Sequence, residues 1–249
     1  MSTLARLLLT GLSLAALLLV WQVAAWWAAS PLLPDPAAVV EAGMRATQTG
    51  VLPSSIAITL GRVAASFLIA MVVGSAIGIV LGRSLALNEV FGPWVIVLLN
   101  LPALVVIILC YVWFGLTEAA AITAVSINKI PNVAVTMREG AAALSRDLDE
   151  MARVYRLGPL GTLRHVVLPQ LVPFFAASAR SGLALTWKIV LVVELLGRSN
   201  GVGFELQTAF QLFDVATILA YALAFTAVVQ FIEVGLLQPW ERRASRWRR

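Results

Sequence analysis

The side chains that could do chemistry in this sequence are ionisable residues set inside apolar stretches. Lys129, flanked by Asn128 and Asn132, interrupts one such stretch, and Arg180, Lys188 and Glu194 interrupt another. A charge there is costly in hydrocarbon, so each calls for a function or a partner. Arg180, Trp187 and Glu194 are seven residues apart and share one helical face, with Ser181 and Lys188 on the neighbouring stripe. Two readings stay open. Lys129 and Lys188 line a watery path favourable to anions, or they pair with Glu194, Glu233 or backbone carbonyls and serve packing alone. Other chemistries find no pattern. The phosphate cradle G-x-x-x-x-G-K-[ST] does not occur. The glycine-rich stretch 197–203 lacks the following Lys-Ser/Thr and reads as an external turn or gate. His165 is the only histidine, with no nucleophile pattern near it. Cys110 is the only cysteine, which excludes an intrachain disulfide and a cysteine metal site. It reads as a buried, inert thiol. No catalytic residue, metal site or cofactor of its own is expected in this chain.

The elements that must position these residues follow from composition. The 249 residues are 60% hydrophobic and 12% charged, with a mean hydropathy of +0.91. Soluble domains carry about 45–50% apolar and about 25% charged residues, so a cytosolic enzyme and a disordered chain are excluded. A membrane-embedded chain remains. The apolar runs are too long and unalternated for barrel strands, so they read as helices. Six segments, 7–29, 56–81, 91–114, 119–137, 172–196 and 216–237, reach the length of about 20 residues that crosses a bilayer. The first exceeds the about 7–15 apolar residues of a secretory signal and is expected to remain as a helix. Pro93 and Pro102 divide the third into an interfacial lead-in and a helix from about residue 101, and Pro131 kinks the fourth. A short helix is expected over 37–46. Gly74, Gly78 and Gly82 fall on one face and should let another helix approach closely.

Six crossings put both termini on one side. With the termini inside, Arg6, Arg83, Arg138, Arg146, Arg153, Arg156, Arg164, Arg242, Arg243, Arg246, Arg248 and Arg249, 12 of the 18 basic residues, are cytoplasmic. The outer loops hold only Arg45 and Arg198, with Arg62 near the outer end of the second segment. That asymmetry orients the chain and accounts for the net charge of +5 without nucleic acid. The basic tail, with Trp240 and Trp247, reads as an anchor on anionic lipid.

The polar loop 138–170 carries the most information. Ser145 suits an N-cap, Asp147, Asp149 and Glu150 the first turn, Arg153 and Arg156 the last, Gly158 the C′ position and Pro159 the stop. Leu148, Met151, Ala152 and Tyr155 make one apolar stripe on this charged helix. A second short helix, 160–168, is expected to end before Pro169. Such a pair either lies flat on the bilayer or presents its stripe to a soluble partner's groove. Physics alone leaves both open.

Glu150-Met151-Ala152 followed by Val166-Val167-Leu168-Pro169 resembles the EAA loop of ABC importer permeases, whose pattern is E-A-A, three residues, G, nine residues, I, one residue, L-P. Met151 and Arg156 depart from it, Arg156 standing at the glycine. Gly158 is the candidate for the turn instead. Ser30-Pro31-Leu32-Leu33-Pro34-Asp35-Pro36, Trp113-Phe114-Gly115, and Glu194-Leu195-Leu196 with Gly201-Val202-Gly203-Phe204 are similar to the nitrate/sulfonate/taurine/bicarbonate subfamily. The resemblance implies one all-α polytopic domain over 1–249 with the MetI-like fold of type I importer permeases, in the bacterial inner membrane. It implies that loop 138–170 forms a coupling helix, with Leu148, Glu150, Met151, Ala152, Arg153, Tyr155 and Gly158 meeting a cytoplasmic ABC ATPase. Two ATPase copies would bind ATP and Mg, a second permease subunit would complete a homodimer, and a periplasmic binding protein would deliver a small anion. Asn128, Lys129, Arg180, Lys188 and Glu194 are the candidates for the translocation path. An organic vitamin precursor as solute, or a secondary carrier without an ATPase, is the alternative.

Overall fold

The computed structural model describes residues 3–237 and 239, and every regular element among them is helical. The elements are α1 (Thr3–Ala28), α2 (Pro36–Gln48), α3 (Val51–Arg83), α4 (Leu85–Leu99), α5 (Ala103–Phe114), α6 (Glu118–Ala142), α7 (Arg146–Val154), α8 (Pro159–Thr162), a π-helical turn (Leu163–Val167), α9 (Leu168–Gly197), α10 (Val202–Gln211) and α11 (Val215–Ile232), which ends in a second π turn (Glu233–Leu237). The basic tail at 240–249, read above as a lipid anchor, lies outside the described residues.

Three helices, α3, α6 and α9, pack on one another at the centre. The glycines of α3 set how closely. A Cβ on Gly74 would lie 2.8 Å from the carbonyl oxygen of Ile130, one on Gly78 2.5 Å from that of Ala134, and one on Gly82 2.5 Å from that of Arg138. The expected close approach is therefore made to α6 of the same chain, backbone against backbone. At the same interface Val133 and Met137 are fully buried, joined from α9 by Leu171. A larger core joins α5, α6, α9, α10 and α11 through residues such as Ile107, Val125, Val190, Val202 and Phe225.

The outer elements follow local signals. Asp35 caps α2 by accepting from Ala38 N–H at 2.8 Å, with Pro36 at the first turn. The third apolar segment is two helices bent by 93° across residues 100–102, where Pro102 stands before α5, whereas Pro93 lies inside α4 without ending it. α1 stands apart. Its Trp21 indole donates to Pro34 O at 3.0 Å and Ala25 is buried, while most of its described side chains are exposed.

One expectation is met in part and one is corrected. By length and apolarity α1, α3 and α11 qualify as membrane spans, and the bent pair α4–α5 makes a fourth if counted as one. Among the described residues α6 and α9 do not qualify by that measure; Glu118, Lys129, Arg138 and Glu139 fall within α6, and Arg180, Lys188 and Glu194 within α9. The correction is that the helix after Pro159 does not stop before Pro169. It runs through into α9, with Leu168 N–H donating to Leu163 O across the π turn. The widened turn accommodates a proline that would otherwise press its ring on the carbonyl four residues back.

Candidate functional site

The helix α9 has functional groups at both ends and along one side. Its 30 residues span about 45 Å at 1.5 Å per residue, with α7 near its start and α10 beyond its end.

At the α10 end, α3 brings in Arg62, which is 4% exposed, and α9 brings in Glu194, which is 0% exposed. Arg62 Nη1 donates to Glu194 Oε1 at 2.7 Å and to the Asn200 carbonyl at 2.8 Å. Its Nε and Nη2 form a fork on Glu118, at 2.6 and 2.9 Å, and Nη2 also reaches Asn200 Oδ1. All five guanidinium N–H groups are used. Arg198 adds a second cation on Glu118 at 2.8 Å. The other oxygen of Glu194 accepts from Thr59 Oγ1 at 2.9 Å and from Gly203 N–H at 2.8 Å, while Thr59 Oγ1 accepts from Val202 N–H at 2.9 Å. Glu194 and Thr59 thus satisfy the first amides of α10, where a negative charge also suits the helix dipole. Glu194 is therefore not a free lining residue, and neither lysine pairs with it. The loop it holds is legible in the sequence only as glycine-rich, and the helix α10 inside 197–214 carries no strong periodic signal.

Beyond the other end of α10, Asp214 caps α11. It accepts from Thr217 N–H at 3.0 Å and Thr217 Oγ1 at 2.7 Å, which hold its carboxyl below the usual range. Burial pushes the Glu205 carboxyl on α10 up.

Midway along the bundle Lys129 is 1% exposed, its Nζ donating to Asn132 Oδ1 at 2.7 Å. Gly182 makes room for it: a Cβ there would lie 2.6 Å from Lys129 Cε. Lys129 therefore does not line an open surface in this arrangement. Asn128 is half-buried and donates to Ala124 O at 2.8 Å. On α9, Ala177, Arg180, Ser181, Ala184, Lys188 and Val192 are exposed and follow one another at helical spacing. Arg180 and Lys188 thus share a continuous open face.

At the other end, the coupling stripe is split. Ala152 is 2% exposed, buried within its own chain, while Leu148, Met151 and Tyr155 are open and Val154 joins them. Glu150 and Arg153 are exposed beside them. Ser145 stands at the N-cap but makes no side-chain cap bond; its own N–H donates to Gln170 Oε1 at 3.1 Å, tying α7 to the start of α9. Gly158 does not provide the turn. Arg156 does, at φ 50°, with Arg156 N–H donating to Arg153 O and Leu157 N–H to Ala152 O, the paired bonds of a Schellman ending.

Among the described residues no group of His, Cys, Asp or Glu side chains could hold a metal ion. An all-α bundle of apolar helices, with charge buried between them and an amphipathic helix open at one end, fits a multi-pass transport subunit that works with a soluble partner. Residues 70–236 match the family described as binding-protein-dependent transport system inner membrane component, and the chain belongs to that family. It is a multi-pass permease component of the bacterial inner membrane, not the ATPase subunit. A probable ABC transporter permease protein of Brucella melitensis is 27% identical over 243 residues, 96% of this chain and 98% of that protein. The taurine transport system permease protein of Escherichia coli is 28% identical over 243 residues, 94% and 88% respectively. A putative aliphatic sulfonates transport permease protein of Bacillus subtilis is 28% identical over 236 residues, 94% and 85%. In fold, the chain matches the inward-facing MetNI methionine ABC transporter with a TM-score of 0.65 at 18% identity, over 76% of this chain and 93% of that one.

Proposed function

We propose that this chain is the translocating permease of an importer driven by a separate cytoplasmic ATPase, paired with a second copy of itself, and that its solute is a small anion. The observation that carries the ATPase partnership is the open apolar edge of α7, Leu148, Met151, Val154 and Tyr155, on a helix tied to α9 at its start and closed by its own Schellman bonds at its end. An edge of this kind is too small to be a core and suits a groove. Two ATPase copies would supply ATP and Mg, and a periplasmic binding protein the solute. The α7 end is then cytoplasmic, as are both termini, with α6 and α9 crossing the membrane as charged, protein-facing helices.

The anion is supported by Arg180 and Lys188 on the open face of α9 and by the relatives named for taurine and aliphatic sulfonates, solutes that carry a sulfonate group. A secondary carrier is disfavoured, since Glu194 is consumed in the Arg62 cluster and cannot serve ion coupling.

The test is Met151→Asp. Fully burying an apolar side chain contributes about 1.5–3 kcal/mol, and a charge left unpaired in a groove is worse. The variant should insert normally and lose co-purifying ATPase and solute-stimulated hydrolysis. Wild-type assembly and transport would sink the docking role and return α7 to a lipid surface. Ala152→Asp is not an equivalent test, because that side chain faces its own chain.

A further inference from the structure

The stretch 197–203 reads from sequence as a turn or a gate, yet its backbone is bonded closely to the bundle. Asn200 gives its carbonyl and its side-chain oxygen to Arg62. Val202 and Gly203 give their amides to Thr59 of α3 and Glu194 of α9. Gly201, at φ 103°, lies flat on the ion pair. A Cβ there would sit 2.5 Å from Glu194 Oε1 and 2.7 Å from Arg62 Nη1. A Cβ on Gly203 would collide with the Leu191 carbonyl in the same way. Lifting this loop would strip bonds from a buried guanidinium and a buried carboxylate, and it would leave two helix-initial amides unpaired.

We propose that the loop is a clamp, with Arg62, Glu118 and Glu194 as positioning residues. They keep α10 seated on α3 and α9 through the whole transport cycle, so the solute path opens along the exposed stripe of α9 and not between α10 and α3. The fork matters as much as the charge: Arg62 holds Glu118 through two nitrogens while its remaining donors go to α9 and the loop. This inference rests on the permease reading above.

The experiment measures distance by double electron–electron resonance in the assembled complex in lipid nanodiscs. Spin labels are placed at Val51, the first residue of α3, and Phe210 on α10, both exposed and outside the clamp. Labelled chain is diluted so that one copy per assembly carries them. The distance should stay within one narrow distribution with and without ATP. A second population on adding ATP would overturn the clamp and restore the gate. A separate sample, labelled at Val154 in both copies, reports the response of α7 to ATP. A failed permease reading therefore appears at position 154, and a failed clamp at the 51–210 pair. In Arg62→Met the 51–210 distribution should broaden without nucleotide, and Arg62→Lys, which keeps the charge without the fork, should broaden it too. An unchanged narrow distribution in Arg62→Met would overturn the positioning role.

Discussion

Arg156 takes a left-handed backbone at φ 50° where the EAA pattern has glycine. For a residue with a Cβ that region costs roughly 1–2 kcal/mol, while glycine there would lose about 0.5–1 kcal/mol more chain entropy on folding. The balance favours glycine slightly. Arg156→Gly should therefore raise hydrogen-exchange protection at the Leu157 amide, which donates to Ala152 O at 2.9 Å, with a small gain in thermal stability. Lower protection would show that the arginine side chain itself holds the turn. The sequence signalled the departure but pointed to Gly158, which instead lies at φ −63° as the residue before α8. Composition alone could not tell which residue turns, because the two Schellman bonds depend on where α7 ends. Glu194 is a similar case. Its cost in an apolar segment was legible, but its partner Arg62 lies 132 positions away, and only the packing of α3 on α9 joins them.

The glycine spacing on α3 was the most legible element-level signal, since four-residue spacing fixes a face whatever that face meets. What it could not name was the neighbour, and the answer is α6. The contact predicts opposite effects for two glycines of one helix. At Gly78 a methyl would meet Ala134 O at 2.5 Å and Met137 Cβ at 2.7 Å, whereas at Gly61 nothing lies within 4 Å. Gly78→Ala should force α3 and α6 apart and cost about 1–3 kcal/mol, as overpacking does. Gly61→Ala should stabilise by about 0.5–1 kcal/mol, as alanine does in a helix. Thermal unfolding in detergent measures both; no loss of stability in Gly78→Ala would mean that the α3–α6 contact does not limit stability. The six-segment count was less legible for a physical reason. Helices that bury charge against other helices need not be apolar enough to face lipid, so α6 and α9 fall outside the spans that length and apolarity alone pick out, although with α3 they form the centre of the bundle.

At the scale of the molecule, the basic residues and the open face of α9 make two linked predictions. If the α7 end is cytoplasmic, a membrane-impermeant thiol reagent should reach a cysteine at Ser199 from outside and miss one at Ser245. Cys110 is buried and stays silent in that assay. The reverse pattern would place α7 on the wrong side for an ATPase. Given that orientation, Lys188 lies nine residues before the end of α9 at Gly197, about 14 Å along the axis at 1.5 Å per residue, so it is well inside the helix and not at its mouth. It is exposed there, on the same open face as Arg180, whereas Lys129 is enclosed and bonded to Asn132. The two lysines should therefore behave differently. Lys188→Met removes a cation from the open face and should lower transport several-fold, leaving ATPase assembly and the binding protein's affinity for its solute unchanged. Lys129→Met removes a buried charge whose one described partner is a neutral amide. It should leave transport near wild type and preserve or raise thermal stability, because the desolvation cost of that charge goes with it. Under the small-anion proposal, uptake of labelled taurine or an alkyl sulfonate into proteoliposomes would read transport in both variants, and thermal unfolding reads stability. Full transport in Lys188→Met would remove the anion path from the α9 face, and loss of transport in Lys129→Met with an intact fold would move it to the α6–α9 interior.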